Sequence, residues 1–179
     1  MKRWQAALIV AVLVCAQVAE AGPGIQIPKD KAFGAFKLRF EVLAGIYQGA
    51  VLDNETGLIW EQAPAIEAFT WTEASVHCNR RVIGFRMGWR LPTVQDLTSL
   101  VDPVVHHPAL PSNHPFANME SANPHRGPTF WAATHKFLAG DPNIKWFVDF
   151  AEVPGAGFVH NDALARAWCV RGGSSADLQ

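Results

Sequence analysis

The chain has 179 residues, and its 15 lysines and arginines nearly balance 16 aspartates and glutamates, which gives a formal net charge of −1 at pH 7. A nucleic-acid-binding protein carries an excess of basic side chains that contact phosphates, so this balance argues against a nucleic-acid partner. The length is sufficient for one domain with a single hydrophobic core.

The first 21 residues have the layout of a secretory signal peptide. Two basic residues precede an apolar stretch, Ala6–Ala16, and Ala19–Ala21 supplies a small-x-small cleavage pattern. A membrane-spanning helix needs about 20 apolar residues, and Gln17 interrupts this run too early. We therefore predict that residues 1–21 are removed and that the mature protein has no membrane span and is periplasmic or secreted.

Cleavage leaves 179 − 21 = 158 residues, the size of one domain. The charge of this part is 13 − 15 = −2, because two basic residues and one acidic residue leave with the signal peptide. Residues 22–32 are rich in glycine and proline without periodicity, which predicts a tether. A single domain is predicted over residues 33–173, followed by a flexible tail over residues 174–179.

After cleavage, the remaining cysteines are Cys78 and Cys169. An even pair in a protein sent to an oxidising compartment predicts a disulfide between them. Such a bridge closes a loop of about 90 residues, and the chain-entropy model gives about 4 to 5 kcal/mol of stabilisation as an upper estimate. The alternative is a reduced pair with a reactive or metal-binding thiol.

The first predicted elements are strands. Apolar and charged side chains alternate over residues 36–42, which predicts a half-buried strand whose inner face carries Phe36, Leu38, Phe40 and Val42. The turn formers of Asp53–Gly57 then separate two apolar runs, residues 50–52 and 58–60, and this pattern predicts a hairpin.

A helix is predicted next, over about residues 71–81. Thr70 stands three residues before Glu73, the capping-box spacing in which hydroxyl and carboxylate each satisfy a backbone N–H group. Ala74 and Cys78 are four residues apart and are expected on the buried face.

The second predicted helix covers residues 94–101. Thr93 and Asp96 repeat the capping pattern after a proline, and Pro103 ends the helix. Its buried stripe is expected to consist of Leu97, Leu100 and Val101.

The second half of the chain contains a long loop and then strands. Residues 102–128 are rich in proline, histidine, asparagine and serine and show no apolar period, which predicts an irregular loop. Strands are predicted over residues 129–134 and 144–150 and near residues 165–170, with residues 154–165 as a connection.

Several short motifs follow one another along the chain: Val51–Trp60, Thr70-Trp71 with Glu73, Ala74 and Cys78, Gly88–Thr93 with Leu97, Phe130–Ala132, and Cys169–Gly172. Their order resembles the C-terminal domain of bacterial collagen-like adhesins, the Lcl C-terminal domain. The resemblance covers residues 50–173.

This resemblance implies an α+β, C-type-lectin-like fold, in which two helices pack on small antiparallel sheets beside a long irregular loop region. It also implies a disulfide between the first helix and the last strand, in agreement with the pairing of Cys78 and Cys169. The chain departs from the adhesins because no Gly-X-Y collagen repeat precedes the domain. A trimeric stalk is therefore not implied, and the oligomeric state stays open.

One constellation is similar to the calcium site of calcium-dependent lectins. Asp141-Pro142-Asn143 precedes a predicted strand, and Asn161-Asp162 follows it. Carboxylate and amide oxygens are the ligands that calcium prefers, so the predicted calcium ligands are Asp141, Asn143, Asn161 and Asp162. The alternative is that Asp-Pro-Asn forms an ordinary turn.

Histidines form a second constellation around the long loop. Imidazoles bind zinc or copper when they converge, and the candidates here are His106, His107, His114, His125 and His135. Their spacing matches no compact ligand motif, so the alternative is a set of solvated loop histidines.

Motifs of common enzymes are absent from the sequence. It has no Gly-x-Ser-x-Gly, no His-Glu-x-x-His and no glycine-rich phosphate loop. Asp149 and Glu152 are expected on opposite faces of a strand, which is poor geometry for paired acid–base work. A non-catalytic protein without a required cofactor is therefore predicted.

We accordingly predict an exported binding module that recognises a glycan or another surface ligand, such as a surface protein. Its predicted binding surface is formed by the long loop and the 154–165 connection, with contacts from His125, Arg126, His160 and Asn161. The alternative function is a metal-binding protein, with zinc or copper, or a structural envelope protein without a soluble ligand.

Overall fold

The computed structural model describes residues 38–106, 108–121, 127–135, 141–151 and 154–173. The predicted signal peptide, tether and tail lie outside these residues, as do His107, His125, Arg126 and Glu152. Within the described residues, no helix is both long and apolar enough to cross a membrane.

The described part is α+β, with short strands, two α-helices and a 3₁₀ turn at Gly45–Tyr47. The helices are α1 (Trp71–Arg80) and α2 (Val94–Ser99). The strands are β1 (Phe40–Val42), β2 (Ala50–Asp53), β3 (Ile59–Glu61), β4 (Ala68–Phe69), β5 (Thr129–His135), β6 (Ile144–Asp149), β7 (Gly155–His160), β8 (Ala165–Arg166) and β9 (Val170–Arg171).

The strands form two sheets. One sheet has the order β1-β2-β3-β9 and is antiparallel throughout. The other has the order β4-β8-β5-β6-β7 and is mixed, because β5 and β8 pair in parallel through Phe130 and Arg166. The prediction of small antiparallel sheets therefore holds for the first sheet, whereas the second contains one parallel pair.

Both helices begin with the capping boxes that the sequence predicts. The Thr70 hydroxyl accepts the N–H of Glu73 in α1, and the Thr93 hydroxyl accepts the N–H of Asp96 in α2. The predicted buried positions of α1, Ala74 and Cys78, are fully buried. The helices end at Arg80 and Ser99, one and two residues before their predicted ends.

The predicted hairpin between β2 and β3 is organised by a buried carboxylate. Asp53 is 0% exposed and accepts hydrogen bonds from the N–H of Glu55 and the hydroxyl of Thr56. Arg39 pairs with the same carboxylate at 3.1 Å. Gly57 closes the turn with a φ of +74°, a conformation that side chains with a Cβ rarely adopt.

The first strand is shorter than predicted. The described strand is Phe40–Val42, and Phe40 packs against the core whereas Leu38 and Val42 are exposed. The prediction that Leu38 and Val42 share a buried face with Phe40 is wrong. Alternation predicts a half-buried strand only where a second layer covers one face, and no such layer covers these two side chains.

The segment predicted as a connection, residues 154–165, contains strand β7. It pairs antiparallel with β6 over its whole length, from Ile144 opposite His160 to Asp149 opposite Gly155. Gly155 and Gly157 lower the strand propensity of this segment, which explains the error. Gly157 is needed because a Cβ there would lie 2.5 Å from the ring of Phe147.

The predicted strand near residues 165–170 is two short strands, β8 and β9, which belong to different sheets. Between them the chain crosses from one sheet to the other. The long loop contains no helix or strand in its described residues, as predicted, yet it contributes Leu110, Phe116 and Met119 to the core.

Two hydrophobic clusters form the core. The first surrounds Trp168, whose ring lies 5.0 Å from that of Trp60, 4.9 Å from that of Phe116 and 5.0 Å from that of Phe130. The second surrounds the disulfide between Cys78 and Cys169, which confirms the predicted pairing. Aromatic side chains bury the largest areas and therefore dominate the packing energy of the first cluster.

A buried carboxylate lies beside the disulfide. Glu61 is 1% exposed, and its Oε1 accepts the Nε–H of Arg81 at 2.7 Å. Its Oε2 accepts the N–H of Cys169 at 3.3 Å. Burial raises the pKa of the Glu61 carboxyl above its ordinary value, and the charge of Arg81 opposes that shift only in part.

This shift predicts a pH dependence of stability. The carboxyl of Glu61 ionises near pH 4.5 in the unfolded chain and at a higher pH in the folded protein. Between these values the unfolded state binds fewer protons, so the free energy of unfolding falls as pH rises. The stabilisation is fully present below pH 4.5 and is lost as pH rises through the folded pKa.

We expect urea unfolding to show the wild type losing stability relative to Glu61→Gln as pH rises above 4.5. The Gln variant is the matched control because it keeps the side-chain shape and does not titrate. A stability difference that stays constant, or that grows in favour of the wild type with pH, would contradict a raised pKa.

Candidate functional site

The predicted calcium ligands lie at the open end of the β6–β7 hairpin. Because β6 and β7 are antiparallel, the residue before β6 faces the residue after β7. The N–H of Asn161 donates to the carbonyl of Asn143 at 2.8 Å. The structure therefore brings the Asp141–Asn143 turn and the Asn161–Asp162 turn together.

Local hydrogen bonds hold the carboxylates in these turns. Oδ1 of Asp141 accepts the N–H of Asn143 at 2.8 Å, the pattern of an Asx turn. Oδ1 of Asp162 lies 2.7 Å from Nδ1 of His160, and these side chains are 77% and 48% exposed. Within the described residues, the two carboxylates do not share a ligand cluster with a third acidic, histidine or cysteine side chain.

A buried lysine lies beneath the same turn. Lys145 is 8% exposed, and its Nζ donates to the carbonyl of Pro142 at 2.9 Å. The ammonium also lies 4.5 Å from the centre of the Trp71 ring. The backbone N–H of Trp71 donates to the carbonyl of Asn161. Lys145 and Trp71 thus tie both turns to helix α1 and place a positive charge next to them.

Aromatic side chains occupy the other face of the hairpin. Phe158 lies opposite Trp146 in the sheet, and their rings meet edge to face at 5.6 Å. Phe158 is 47% exposed, and His160, two residues further along β7, is on the same face. We call this combined area the hairpin-end surface: Asp141, Asn143, Phe158, His160, Asn161 and Asp162.

Of the predicted histidine ligands, the structure describes the side chains of His106 and His114. His106 is exposed, whereas His114 is partly buried and its Nδ1 accepts the N–H of Phe116 at 3.3 Å. Burial lowers the pKa of His114, which favours its neutral form. Among the described residues, His106 and His114 join no group of candidate metal ligands.

Beside the long loop, a cleft of about 380 Å³ contains Arg166. Its Nε donates to the carbonyl of Ala65 at 2.7 Å, and its Nη2 donates to the carbonyl of Asn118 at 2.5 Å. The guanidinium also lies 5.3 Å from the centre of the Phe130 ring. Burial lowers the pKa of Arg166. This side chain fastens the long loop to the second sheet.

A family model matches most of the chain. Residues 49–171 match the model described as the Lcl C-terminal domain. The chain belongs to this family. No curated protein and no solved structure matches this chain. Membership therefore supports an adhesin-like C-terminal domain and assigns no ligand.

The sequence analysis did not identify Lys145, which lies beneath the hairpin-end surface, or Arg166, which lies in the cleft beside the long loop. Both stand within apolar runs, Ile144–Val148 and Ala163–Val170, where a charge must find a partner when the run is buried. A charged residue inside an otherwise apolar strand is the signal that could have identified them. Their partners are backbone carbonyls from distant segments, which no local pattern reveals.

We expect Arg166→Met to lower the free energy of unfolding by about 1.5 to 3 kcal/mol, because backbone carbonyls near the cleft lose a charged donor. Urea unfolding measures this loss, and hydrogen exchange should show faster exchange of the Ala117 amide, which donates to Gln62. Arg80→Met is the matched control because Arg80 is exposed on α1. Equal losses in the two variants would contradict the anchoring role.

Proposed function

We propose that this protein is an exported, non-catalytic binding module of C-type-lectin-like fold that recognises a glycan on the hairpin-end surface. The observation that carries this proposal is the exposed ring of Phe158 beside the paired side chains of His160 and Asp162. A sugar presents an apolar face and a rim of hydroxyl groups, so an aromatic ring next to hydrogen-bonding groups matches its chemistry.

Strand pairing and hydrogen bonds support the backbone beneath the proposed contacts. The hairpin-end surface stands on paired strands, and Lys145 and Trp71 hold its turns from below. Preorganised contacts lose little conformational entropy on binding, which favours recognition. The disulfide between α1 and the residue before β9 fits the C-type-lectin-like part of the proposal.

The test is a glycan-array screen of the purified protein, repeated for Phe158→Ala. We expect selective binding by the wild type and about a tenfold weaker affinity for the variant, because exposed aromatic contacts often contribute more than about 1 kcal/mol to an interface. Phe85→Ala is the matched control, since Phe85 is also a phenylalanine, 83% exposed, in the loop that precedes Trp89.

Absence of selective glycan binding would refute the glycan as ligand. Binding that is weakened by Phe85→Ala and not by Phe158→Ala would refute the hairpin-end surface as the site. If no glycan binds, a surface protein is the ligand that remains for a binding module.

Calcium is a further proposal for the same surface, with Asp141, Asn143, Asn161 and Asp162 as ligands. The ammonium of Lys145 lies 2.9 Å from the Pro142 carbonyl in the turn that would contact the ion. A positive charge fixed beside this turn repels a cation bound by the turn. Lys145 therefore sets the calcium affinity low.

We expect calorimetric titration to show weak calcium binding by the wild type and at least about tenfold tighter binding by Lys145→Met, which removes a like charge. Asp162→Asn should weaken the binding in both backgrounds. A calcium site would be refuted if neither the wild type nor Lys145→Met gives a heat of binding. Calcium would be unnecessary for recognition if glycan binding persists in the presence of a chelator.

A further inference from the structure

We propose that reduction of the disulfide converts its surroundings into a zinc site made of Cys78, Cys169, His77 and Glu61. One ligand atom each from Glu61, His77 and Cys169 lies within 4.8 Å of the others. Cys78 is not part of that group, but its sulfur is bonded to the sulfur of Cys169 and therefore lies beside it. The four residues come from β3, α1 and the segment before β9.

The distances fit a site that closes on a metal ion. Ligand atoms around tetrahedral zinc are about 3.3 to 3.8 Å apart, given zinc bonds of about 2.0 to 2.3 Å. The ligand atoms of Glu61, His77 and Cys169 lie within 4.8 Å of one another, so side-chain movements of about 1 Å bring them into that range. Reduction releases the two sulfur atoms from each other and permits this movement.

His77 has a nitrogen that the oxidised protein does not use. Its Nε2 is buried and, within the described part of the chain, has no hydrogen-bond partner. Buried polar atoms are rarely left without a partner in native proteins, so this one requires an explanation.

The charges of the site also balance. In the oxidised protein, the buried carboxylate of Glu61 is paired with the guanidinium of Arg81. In the zinc form, three negative groups, the carboxylate and two thiolates, face a zinc ion and the same guanidinium, so the net charge is again zero. A group of charges that sums to zero costs less free energy to bury than one with a net charge.

An access route to the cluster is present on the surface. His77 and Arg81 line a groove of about 610 Å³ along α1, whose other lining residues include Phe69, Glu73, Val76 and Val82. Cys78 and Cys169 are fully buried and do not line this groove, whereas His77 does. The ion would therefore reach the sulfur atoms from the His77 side.

The redox step is a thiol–disulfide exchange with a dithiol reductant. The Cys78–Cys169 bond breaks and receives two electrons and two protons from the dithiol, which becomes a disulfide. Zinc then binds the two sulfur atoms, and both thiol protons pass to solvent. In the reverse step, the two thiolates transfer two electrons to a disulfide oxidant and form the Cys78–Cys169 bond, the oxidant takes up two protons from solvent and becomes a dithiol, and the zinc ion is released.

The experiment uses the full chain, purified with its disulfide intact. One sample is reduced with a phosphine in denaturant, and it is returned to buffer without oxygen in the presence or absence of zinc. Competition with a chromogenic chelator measures zinc stoichiometry and affinity, circular dichroism measures refolding, and cobalt replaces zinc as a spectroscopic probe.

We expect one zinc ion per reduced chain, tight zinc binding only after reduction, and a thiolate-to-cobalt charge-transfer band. His77→Ala should weaken zinc binding by at least the ten- to hundredfold that loss of an outer-shell partner typically costs. Asn79→Ala is the matched control, because Asn79 is an exposed neighbour on the same helix.

Three results would overturn the proposal. The first is that the reduced chain refolds and binds no zinc. The second is that the reduced chain refolds to the same extent with and without zinc. The third is zinc binding that is lost in His106→Ala and kept in His77→Ala, which would place the ion on the loop histidines.

Discussion

The structure depends on one short extended segment, residues 167–170, that supplies both parts of the core. Successive side chains of an extended chain point to opposite sides, so Trp168 and Val170 enter the first cluster whereas Ala167 and Cys169 enter the second. Trp168 also donates its indole N–H to the carbonyl of Glu61 at 2.8 Å. A shift of one residue would exchange these two faces and place an indole at the disulfide. The register of this segment therefore fixes α1, through Cys78, and both sheets at once.

The same constraint explains where a binding surface can form. The disulfide and the Trp168 cluster hold the part of the fold where the two sheets meet, and the β6–β7 hairpin extends from β5 to become the edge of its sheet. Edge strands expose backbone groups and side chains that central strands bury. The turns at the open end of the hairpin nevertheless stay in place, because Lys145 and Trp71 connect them to α1. A surface that is exposed and also held from beneath combines accessibility with a low entropy cost of binding.

The spacing of capping residues and the number of cysteines made part of the fold predictable from the sequence. The capping boxes of both helices are formed by side chains three residues apart, so their geometry is contained in the sequence itself. The disulfide followed from the number of cysteines that remain after the predicted cleavage. Strand β7 was not predictable in this way, because its glycines lower strand propensity and its stability comes from pairing with β6 and from the ring of Phe147. The proximity of the Asp141 and Asp162 turns was expected from a family pattern, whereas the ammonium beneath them was not.

Lys145, Arg166 and Glu61 are charged residues that pack inside the fold. Lys145 and Arg166 bind backbone carbonyls of the loops beside them, and each charge thereby fastens an irregular segment to a strand. Glu61 differs because its partner Arg81 comes from the residue after α1, and because its neighbour His77 keeps a buried nitrogen without a partner among the described residues. A polar group that is buried and unsatisfied costs free energy in the oxidised fold. That cost is removed if the nitrogen binds an ion in another redox state, which is the state that the proposed zinc site supplies.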